Sequence, residues 1–163
     1  MNSTASRRLT VDRITLRRAS LDDAEMLYRW RSDPATRTAS HDTAEIRFDA
    51  HVAWLIIVLA DPTRTVYMAE HNGVAVGTVR TDVRDRVHEL SWTIAPESRG
   101  VGFGTEMVLR LASSISGPIT AQVKAGNAAS IRIAEAAGMR LEKEADGVLY
   151  FHRGRVELSV PAE

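Results

Sequence analysis

The sequence predicts a mixed α/β fold of a single domain, in which a mostly antiparallel, twisted sheet of about seven strands is flanked by about four helices. The first observation is that segments with alternating apolar residues, typical of strands, are interspersed with segments of helical periodicity. The second is that short turns at Asn72-Gly73 and Asp85-Arg86 join three successive strands, which must then run antiparallel. The third is the lack of any linker, repeat or low-complexity segment. We expect one domain over residues 1–163, with a disordered tail over residues 1–8.

The first third of the chain predicts one strand and two helices. Residues 13–19 alternate between apolar and polar and predict a strand. Ser20 can cap the helix that follows, and Asp33-Pro34 ends that helix. Residues 35–46 are polar and without periodicity, which predicts a loop. A second helix over residues 49–60 is apolar nearly all round, so we expect it to be well buried.

The rest of the chain predicts six strands and two helices. Gly117-Pro118 and Gly138 end the two helices, and turns follow at Asp146-Gly147 and Arg153-Gly154. The predicted strands are 65–71, 74–83, 87–94 and 119–123, followed by a final pair within 139–160, and the predicted helices are 103–114 and 127–137.

Composition excludes several classes of function. Lys+Arg and Asp+Glu are both 21, so the net charge gives no reason to expect nucleic acid or a membrane as partner. The absence of cysteine excludes disulfides and thiolate chemistry, and no metal-ligand spacing is present. The N-terminus lacks the apolar segment of a secretory signal, and the longest apolar run, residues 52–60, is too short to span a bilayer. We expect a cytoplasmic protein.

The stretch "PESRGVGFGTEMV", residues 96–108, predicts a phosphate-binding loop. Gly100, Gly102 and Gly104 lie between a predicted strand and a predicted helix. A helix N-terminus presents unpaired N–H groups and a positive dipole end, and glycines let an anion approach the backbone closely. Arg99 adds a cation. The alternative interpretation is a flexible turn that binds nothing.

Two nucleotide-binding motifs do not fit this stretch. The P-loop motif ends in Gly-Lys-Ser/Thr, and no lysine is present here. The dinucleotide fingerprint needs a third glycine, where this chain has Thr105, and a parallel βαβ unit, whereas the preceding strands are linked by hairpins.

The pattern that remains, Arg-x-x-Gly-x-Gly at Arg99, Gly102 and Gly104, resembles the pyrophosphate-binding signature of the GCN5-related N-acetyltransferases, the GNAT family. "GNAASIRIAEAAGM" resembles the second signature of that family, with its asparagine at Asn127 and Met139 in place of the usual phenylalanine. The resemblance covers roughly residues 14–160 and includes the order of the predicted elements.

The resemblance implies the acyl-CoA N-acyltransferase fold, acetyl-CoA as co-substrate and no metal. It implies that the pantetheine arm pairs with the free edge of the strand before the glycine loop. The N–H of Ile94 would polarise the acetyl carbonyl. The implied CoA-binding residues are Thr93, Ile94, Ala95, Arg99, Gly100, Val101, Gly102, Phe103, Gly104, Thr105, Asn127 and Ser130.

The resemblance also implies a general base, whereas the residue that serves many members as general acid is absent from this chain. Glu89 lies where many members carry the base that deprotonates the amine, although it can equally be a solvated edge-strand carboxylate. Many members carry a tyrosine acid seven residues after the asparagine, and that position is Ala134 here. The general acid therefore cannot be assigned from the sequence.

The acceptor site is predicted around the first two helices. "WRSDPATR" and the following His51-x-x-Trp54 resemble the branch that acetylates a UDP-linked 4-amino sugar in the pseudaminic acid pathway. That resemblance implies substrate contacts at Arg31, His41 and His51, and Thr81 lies on the neighbouring strand. Arginine forks suit a diphosphate, and aromatic faces suit a uracil or sugar ring.

Other partners stay open at this point. The sequence fits equally well the branch that acetylates the α-amine of a protein, such as a ribosomal protein, and an aminoglycoside is disfavoured because a polycation needs an acidic pocket. A CoA-binding module without catalysis is a further alternative. The apolar C-terminal strand offers a surface for a homodimer, and the sequence leaves the oligomeric state undetermined.

Overall fold

The computed structural model describes residues 13–154. The predicted tail over residues 1–8 and the end of the predicted C-terminal strand lie outside the described residues. The strands are β1 (Thr15–Arg18), β2 (Arg64–His71), β3 (Val74–Arg84), β4 (Val87–Ile94), β5 (Ile119–Lys124), β6 (Arg140–Ala145) and β7 (Val148–Arg153). The helices of the same range are α1 (Ala24–Ser32), α2 (Pro34–Ala39), α3 (Phe48–Ala60), α4 (Phe103–Ser114) and α5 (Ala128–Ala136).

All seven strands form one sheet in the order β1-β2-β3-β4-β5-β7-β6, and only the β4–β5 pair is parallel. The predicted mixed fold with a mostly antiparallel, seven-stranded sheet is confirmed. The hairpin turns follow the prediction: Asn72, Gly73, Asp85 and Arg86 all have φ between 50° and 78°. Two successive residues with positive φ form the turn whose twist matches that of antiparallel strands.

Helices cover both faces of the sheet, and each face has its own hydrophobic cluster. Helices α1 and α3 pack on one face, where Trp30, Leu55 and Met68 are buried together; we call it the α1 face. Helices α4 and α5 pack on the other, the α4 face, with Met107 and Leu90 in its core. Side chains alternate between the faces along each strand, so the register places every strand residue on one side or the other.

The loop predicted over residues 35–46 is partly wrong, because residues Pro34–Ala39 form the short helix α2. Asp33-Pro34 does end α1 as predicted, but it also starts the next helix. The Asp33 carboxylate accepts a hydrogen bond from the Thr36 N–H at 3.1 Å, and Pro34 occupies the first turn. An Asx cap followed by proline is a strong helix start.

The predicted burial of α3 is also wrong. Only one side of this helix contacts α1 and β2, and it carries His51, Leu55 and Val58. Ile56 and Ile57 on its outer side are 50% and 65% exposed. Hydrophobicity on all sides cannot specify which side has a packing partner, and α3 lies in the outer layer. No helix of the described residues is long and apolar enough to cross a membrane.

Candidate active site

A gap opens between β4 and β5 in the middle of the sheet. The two strands pair only over His88–Ile119, Glu89–Thr120 and Leu90–Ala121. Strand β4 then continues to Ile94 and β5 to Lys124 without further pairing to each other. The last four residues of β4 therefore have a backbone edge that no neighbouring strand uses, and an extended ligand can pair with such an edge.

The free edge includes the N–H of Ile94. The N–H of the next residue, Ala95, donates to Val76 O on β3 at 2.8 Å. Because N–H groups alternate in direction along a strand, the N–H of Ile94 points away from β3 and into the gap. This is the orientation that the predicted oxyanion-stabilising role requires. The backbone N–H groups of Thr93 and Ala95 alternate with it and point towards β3.

The glycine loop leads directly from this edge to the N-terminus of α4. Gly100 and Gly102 have φ of 79° and 88°, which a side chain would disfavour, and Gly102 is the N-cap of α4. The first intrahelical hydrogen bond is from Glu106 N to Gly102 O, so the N–H groups of residues 103–105 precede it. The loop therefore presents several N–H groups, as an anion-binding site requires.

Gly104 acts by its small size. A Cβ at this position would lie 2.7 Å from Ile94 Cδ1 and 2.8 Å from Ile133 Cδ1. Such distances are too short for carbon atoms, so glycine allows α4 to pack against β4 and α5 at this point. The glycine thus brings the N-terminus of α4 next to the free edge of β4.

Arg13 is a cation at the loop that the sequence analysis did not identify. Its Nη2 donates to Val101 O at 2.9 Å, its Nε pairs with Glu106 at 3.1 Å, and its guanidinium lies 4.9 Å from the centre of the Phe103 ring. Arg13 lies 88 residues from Val101, and no local pattern could reveal this contact.

The side chain of Arg99 contacts the start of α2. Its Nη2 donates to Asp33 Oδ2 at 2.7 Å and to Thr36 Oγ1 at 3.0 Å. The nearby guanidinium of Arg99, together with the Thr36 N–H, lowers the pKa of the Asp33 carboxyl. Binding of the pyrophosphate by Arg99 stays a prediction.

The N-terminus of α5 borders the α4 face of the gap. Asn127 is the N-cap, as predicted, and its Oδ1 accepts from Ser130 N at 3.1 Å. Ser130 Oγ in turn accepts from Trp92 Nε1 on β4 at 3.1 Å. Ala134, one turn further along α5, is fully buried, so the usual position of the tyrosine acid is part of the core here.

Glu89 lies on the opposite side of the gap, on the α1 face, because its neighbour Leu90 belongs to the α4-face core. Its carboxylate is exposed and accepts from Gln122 Nε2 on β5 at 3.4 Å. The base candidate is therefore held between the two strands that diverge, within reach of solvent. Its role as a base stays a prediction.

His51 is the most buried of the predicted acceptor residues. It is 4% exposed, and its Nε2 has no hydrogen-bond partner. The Tyr28 and Trp54 rings flank it, with ring centres at 5.6 and 5.5 Å. Burial, and secondarily the positive charge of Arg31, lowers the pKa of His51. At neutral pH its imidazole is uncharged.

Of the other predicted acceptor residues, Arg31 contacts the loop that carries His41, whereas Thr81 lies on the opposite face of the sheet. Arg31 donates to the backbone O of Asp42 at 2.7 Å, and His41 is exposed on the same loop. Thr81 is not part of this group, because it pairs with Leu90 and its side chain points to the α4 face, where it is buried beside His88. The residue that does face α3 from β3 is Arg80, whose guanidinium lies 5.7 Å from the Trp54 ring centre.

Two further polar residues, Gln122 and Lys124, lie on the α1 face of β5, and neither was predicted to belong to the site. Gln122 contacts Glu89, and Lys124 Nζ donates to Thr38 O on α2 at 2.9 Å. Because they alternate with the apolar Ala121 and Val123 along the strand, the sequence could have predicted that both lie on the face opposite the core. Among residues 13–154, no group of three or more His, Cys, Asp or Glu side chains could hold a metal ion.

These features define the class of protein. A sequence profile of the GNAT acetyltransferase domain matches residues 13–140, more than half of the chain. The chain therefore belongs to the GNAT family, and it is an N-acetyltransferase. No curated protein matches the chain in sequence.

The fold is similar to those of solved acetyltransferases. The spermidine N-acetyltransferase from Vibrio cholerae, in complex with CoA and spermine, has a TM-score of 0.77 at 17% identity, over 86% of this chain and 95% of that one. The aminoglycoside acetyltransferase AAC(6')-Ib, in complex with coenzyme A and kanamycin, has a TM-score of 0.76 at 24% identity, over 87% and 95%. The protein yncA from Salmonella typhimurium, with acetyl-CoA, has a TM-score of 0.72 at 20% identity, over 92% and 98%. Identities this low establish similarity of fold alone.

Proposed function

We propose that the chain transfers the acetyl group of acetyl-CoA to a primary amine by direct attack, with the donor between β4 and β5 and the amine on the α1 face. The observation that carries this proposal is the free edge of β4, where the Ile94 N–H points into the gap beside the glycine loop. The three solved relatives named above contain CoA or acetyl-CoA, which supports the same donor.

The residues divide the chemistry between the two sides of the sheet. The N–H groups of residues 103–105 and the positive end of α4 would hold the pyrophosphate. The N–H of Ile94 would stabilise the negative charge that develops on the acetyl oxygen. Glu89 would accept, directly or through water, the proton that the ammonium of the acceptor must lose before the neutral amine can attack the thioester. Ala134 supplies no acid, so the proton for the departing thiolate comes from another group or from water.

For the acceptor we propose an amino sugar on a nucleotide. Within residues 13–154, Arg31 and Lys124 each donate to a backbone carbonyl and form no ion pair with a carboxylate, so they can bind a phosphate without losing one. The Tyr28 and Trp54 rings, which flank the buried His51 near Arg31, would provide the ring faces. Two of the solved relatives were crystallised with polycationic amines, and Asp82, the carboxylate between Arg64 and Arg80, is already paired with both. Asp82 is therefore not a free carboxylate for a polycation.

The test is a screen of acceptors with the full chain and acetyl-CoA. The panel comprises a UDP-4-amino sugar, peptides that begin with Ala or Ser, spermine and kanamycin, and the products are identified by mass spectrometry. Product from the nucleotide sugar alone supports the proposal, whereas acetylated peptide supports N-alpha-acetylation of a protein. CoA binding without any product would favour a regulatory CoA-binding module. A homodimer is proposed as well, and sedimentation of the full chain would test it.

A further inference from the structure

Helix α2 is held on both sides of the gap between β4 and β5. Its N-terminus is bound by Arg99, which follows β4 and donates to Asp33 Oδ2 at 2.7 Å and Thr36 Oγ1 at 3.0 Å. Its C-terminus is bound by Lys124, the last residue of β5, which donates to Thr38 O at 2.9 Å. These partners are 63 to 86 residues apart in sequence, so the contacts are tertiary rather than local.

The two strands that α2 connects are the ones that diverge. Backbone pairing of β4 with β5 ends at Leu90–Ala121, well before either anchoring residue. Beyond that point, α2 and its two cationic contacts link the loop after β4 to the end of β5. The position of α2 therefore depends on the separation of the strand ends, and a ligand that fixes this separation also fixes α2.

The C-terminal anchor of α2 is on the same face of β5 as Gln122, which contacts the base candidate Glu89. Lys124 and Gln122 are on the same face of β5, since Ala121 and Val123 are in the opposite core. Gln122 donates to Glu89 at 3.4 Å. The segment after α2 is held in the same way, because Arg31 donates to Asp42 O at 2.7 Å and Arg37 to Thr43 O at 3.1 Å. Charged donors therefore hold the acceptor-side wall by its carbonyl groups, which makes these hydrogen bonds strong.

We propose that Lys124 is a positioning residue for the acceptor, which together with Arg99 holds α2 across the β4–β5 gap and so couples the acceptor-side wall to the donor. This inference rests on the proposed function, because it is the pantetheine arm of CoA that would fix the strand separation. Coupling is reciprocal, so whatever CoA does to α2, α2 does to the binding of CoA. The competing view is that Lys124 is a surface lysine whose contact contributes nothing.

The chain offers a matched control, because Lys143 is its only other lysine. Lys143 is on β6, and its Nζ lies 4.8 Å from the Tyr150 ring centre. Strand β7 separates β6 from β5, the strand that carries Lys124. We would measure hydrogen exchange of the amides of residues 35–43 in the full chain, with and without CoA, in the wild type, Lys124→Met, Lys124→Arg and Lys143→Met. CoA binding would be measured by calorimetry on the same samples.

The expected result is that CoA slows exchange of these amides by about tenfold in the wild type and Lys143→Met, which is the effect of one charge-assisted hydrogen bond. Lys124→Met should lose this protection, and Lys124→Arg should retain most of it. If CoA binds but Lys124→Met is protected like the wild type, the inference is overturned and the proposed function stands. If CoA does not bind the wild type, both are overturned. Should Lys124→Met fail to fold, Asp33→Ala removes the acceptor that Arg99 binds at the other end of α2, and unchanged protection there would equally refute the coupling.

Discussion

At the scale of single residues, the site depends on contacts that no local sequence pattern contains. Asn127 and the positive-φ glycines could be predicted, because capping and backbone conformation are local properties. The partner of Arg99 could not, because Asp33 is 66 residues away, and an arginine beside a glycine loop is equally suited to bind a phosphate. The same holds for Glu89, whose position on the strand was predictable but whose contact with Gln122 was not.

Glu89→Gln tests the base directly. Since the amide cannot accept the proton of an ammonium, the rate near neutral pH should fall, by about 10²-fold if Glu89 is the base. Raising the pH should partly restore the rate, because more of the acceptor is then already deprotonated. The measurement is the pH–rate profile with the acceptor found in the screen. Glu144→Gln on β6 is the control, and a Glu89→Gln profile identical to it would remove Glu89 from the mechanism.

His51 should make stability depend on pH. Its folded-state pKa is lowered by burial first and by Arg31 second, so the unfolded chain binds the proton more readily. The stability that the uncharged His51 contributes is fully present above the ordinary histidine pKa, and it is lost as the pH falls from there through the lowered pKa of the folded state. The free energy of unfolding should therefore decrease between about pH 7.5 and about pH 5, and less so in His51→Phe. Urea unfolding of both proteins at a series of pH values measures this difference. If the free energies of unfolding depended on pH in the same way, His51 would not be a buried, uncharged imidazole.

At the scale of elements, the sequence predicted the seven strands and four of the five α-helices that lie within residues 13–154, and it failed where an element depends on its neighbours. Helix α2 was missed because Asp33-Pro34 was interpreted only as a stop signal, although the same pair also caps and starts a helix. The existence of α3 was predicted from its apolar residues, but its exposed side was not. Ile57 is exposed because no other element of the described residues covers that side, and this depends on the layer order of the whole sheet.

The glycine loop allows a test that separates strain from charge. Gly102 has φ of 88°, so any side chain there is strained, and alanine or glutamate should each lower the free energy of unfolding by about 1–2 kcal/mol. Only Gly102→Glu adds bulk and negative charge where the pyrophosphate would bind. We expect calorimetry to show CoA binding in Gly102→Ala and none in Gly102→Glu, with both proteins folded by circular dichroism. Micromolar CoA affinity in Gly102→Glu would refute the assignment of this loop.

At the scale of the whole molecule, the proposed site unites distant parts of the chain. Arg13, Asp33, Ile94 and Lys124 come from four regions of the sequence and meet only because β4 and β5 lie at the centre of the sheet. The two hydrophobic clusters hold α1 and α3 on one face of the sheet and α4 and α5 on the other, so the proposed donor and acceptor sides lie on opposite faces. A ligand in that gap contacts both halves of the fold.

CoA should therefore stabilise the entire fold in a single transition. A ligand that binds only the native state at about 100 times its Kd adds about 2.7 kcal/mol to the free energy of unfolding. For a domain of this size that corresponds to a rise in Tm of roughly 5–10 °C. Differential scanning calorimetry with CoA measures this rise in Tm. The control ligand is pantetheine at the same concentration, which lacks the pyrophosphate. Because the N-terminus of α4 would bind the pyrophosphate, pantetheine should give a much smaller shift. An equal rise in Tm with both ligands would show that the glycine loop contributes nothing to donor binding. If unfolding showed two transitions and CoA shifted only one of them, the two faces of the sheet would unfold separately.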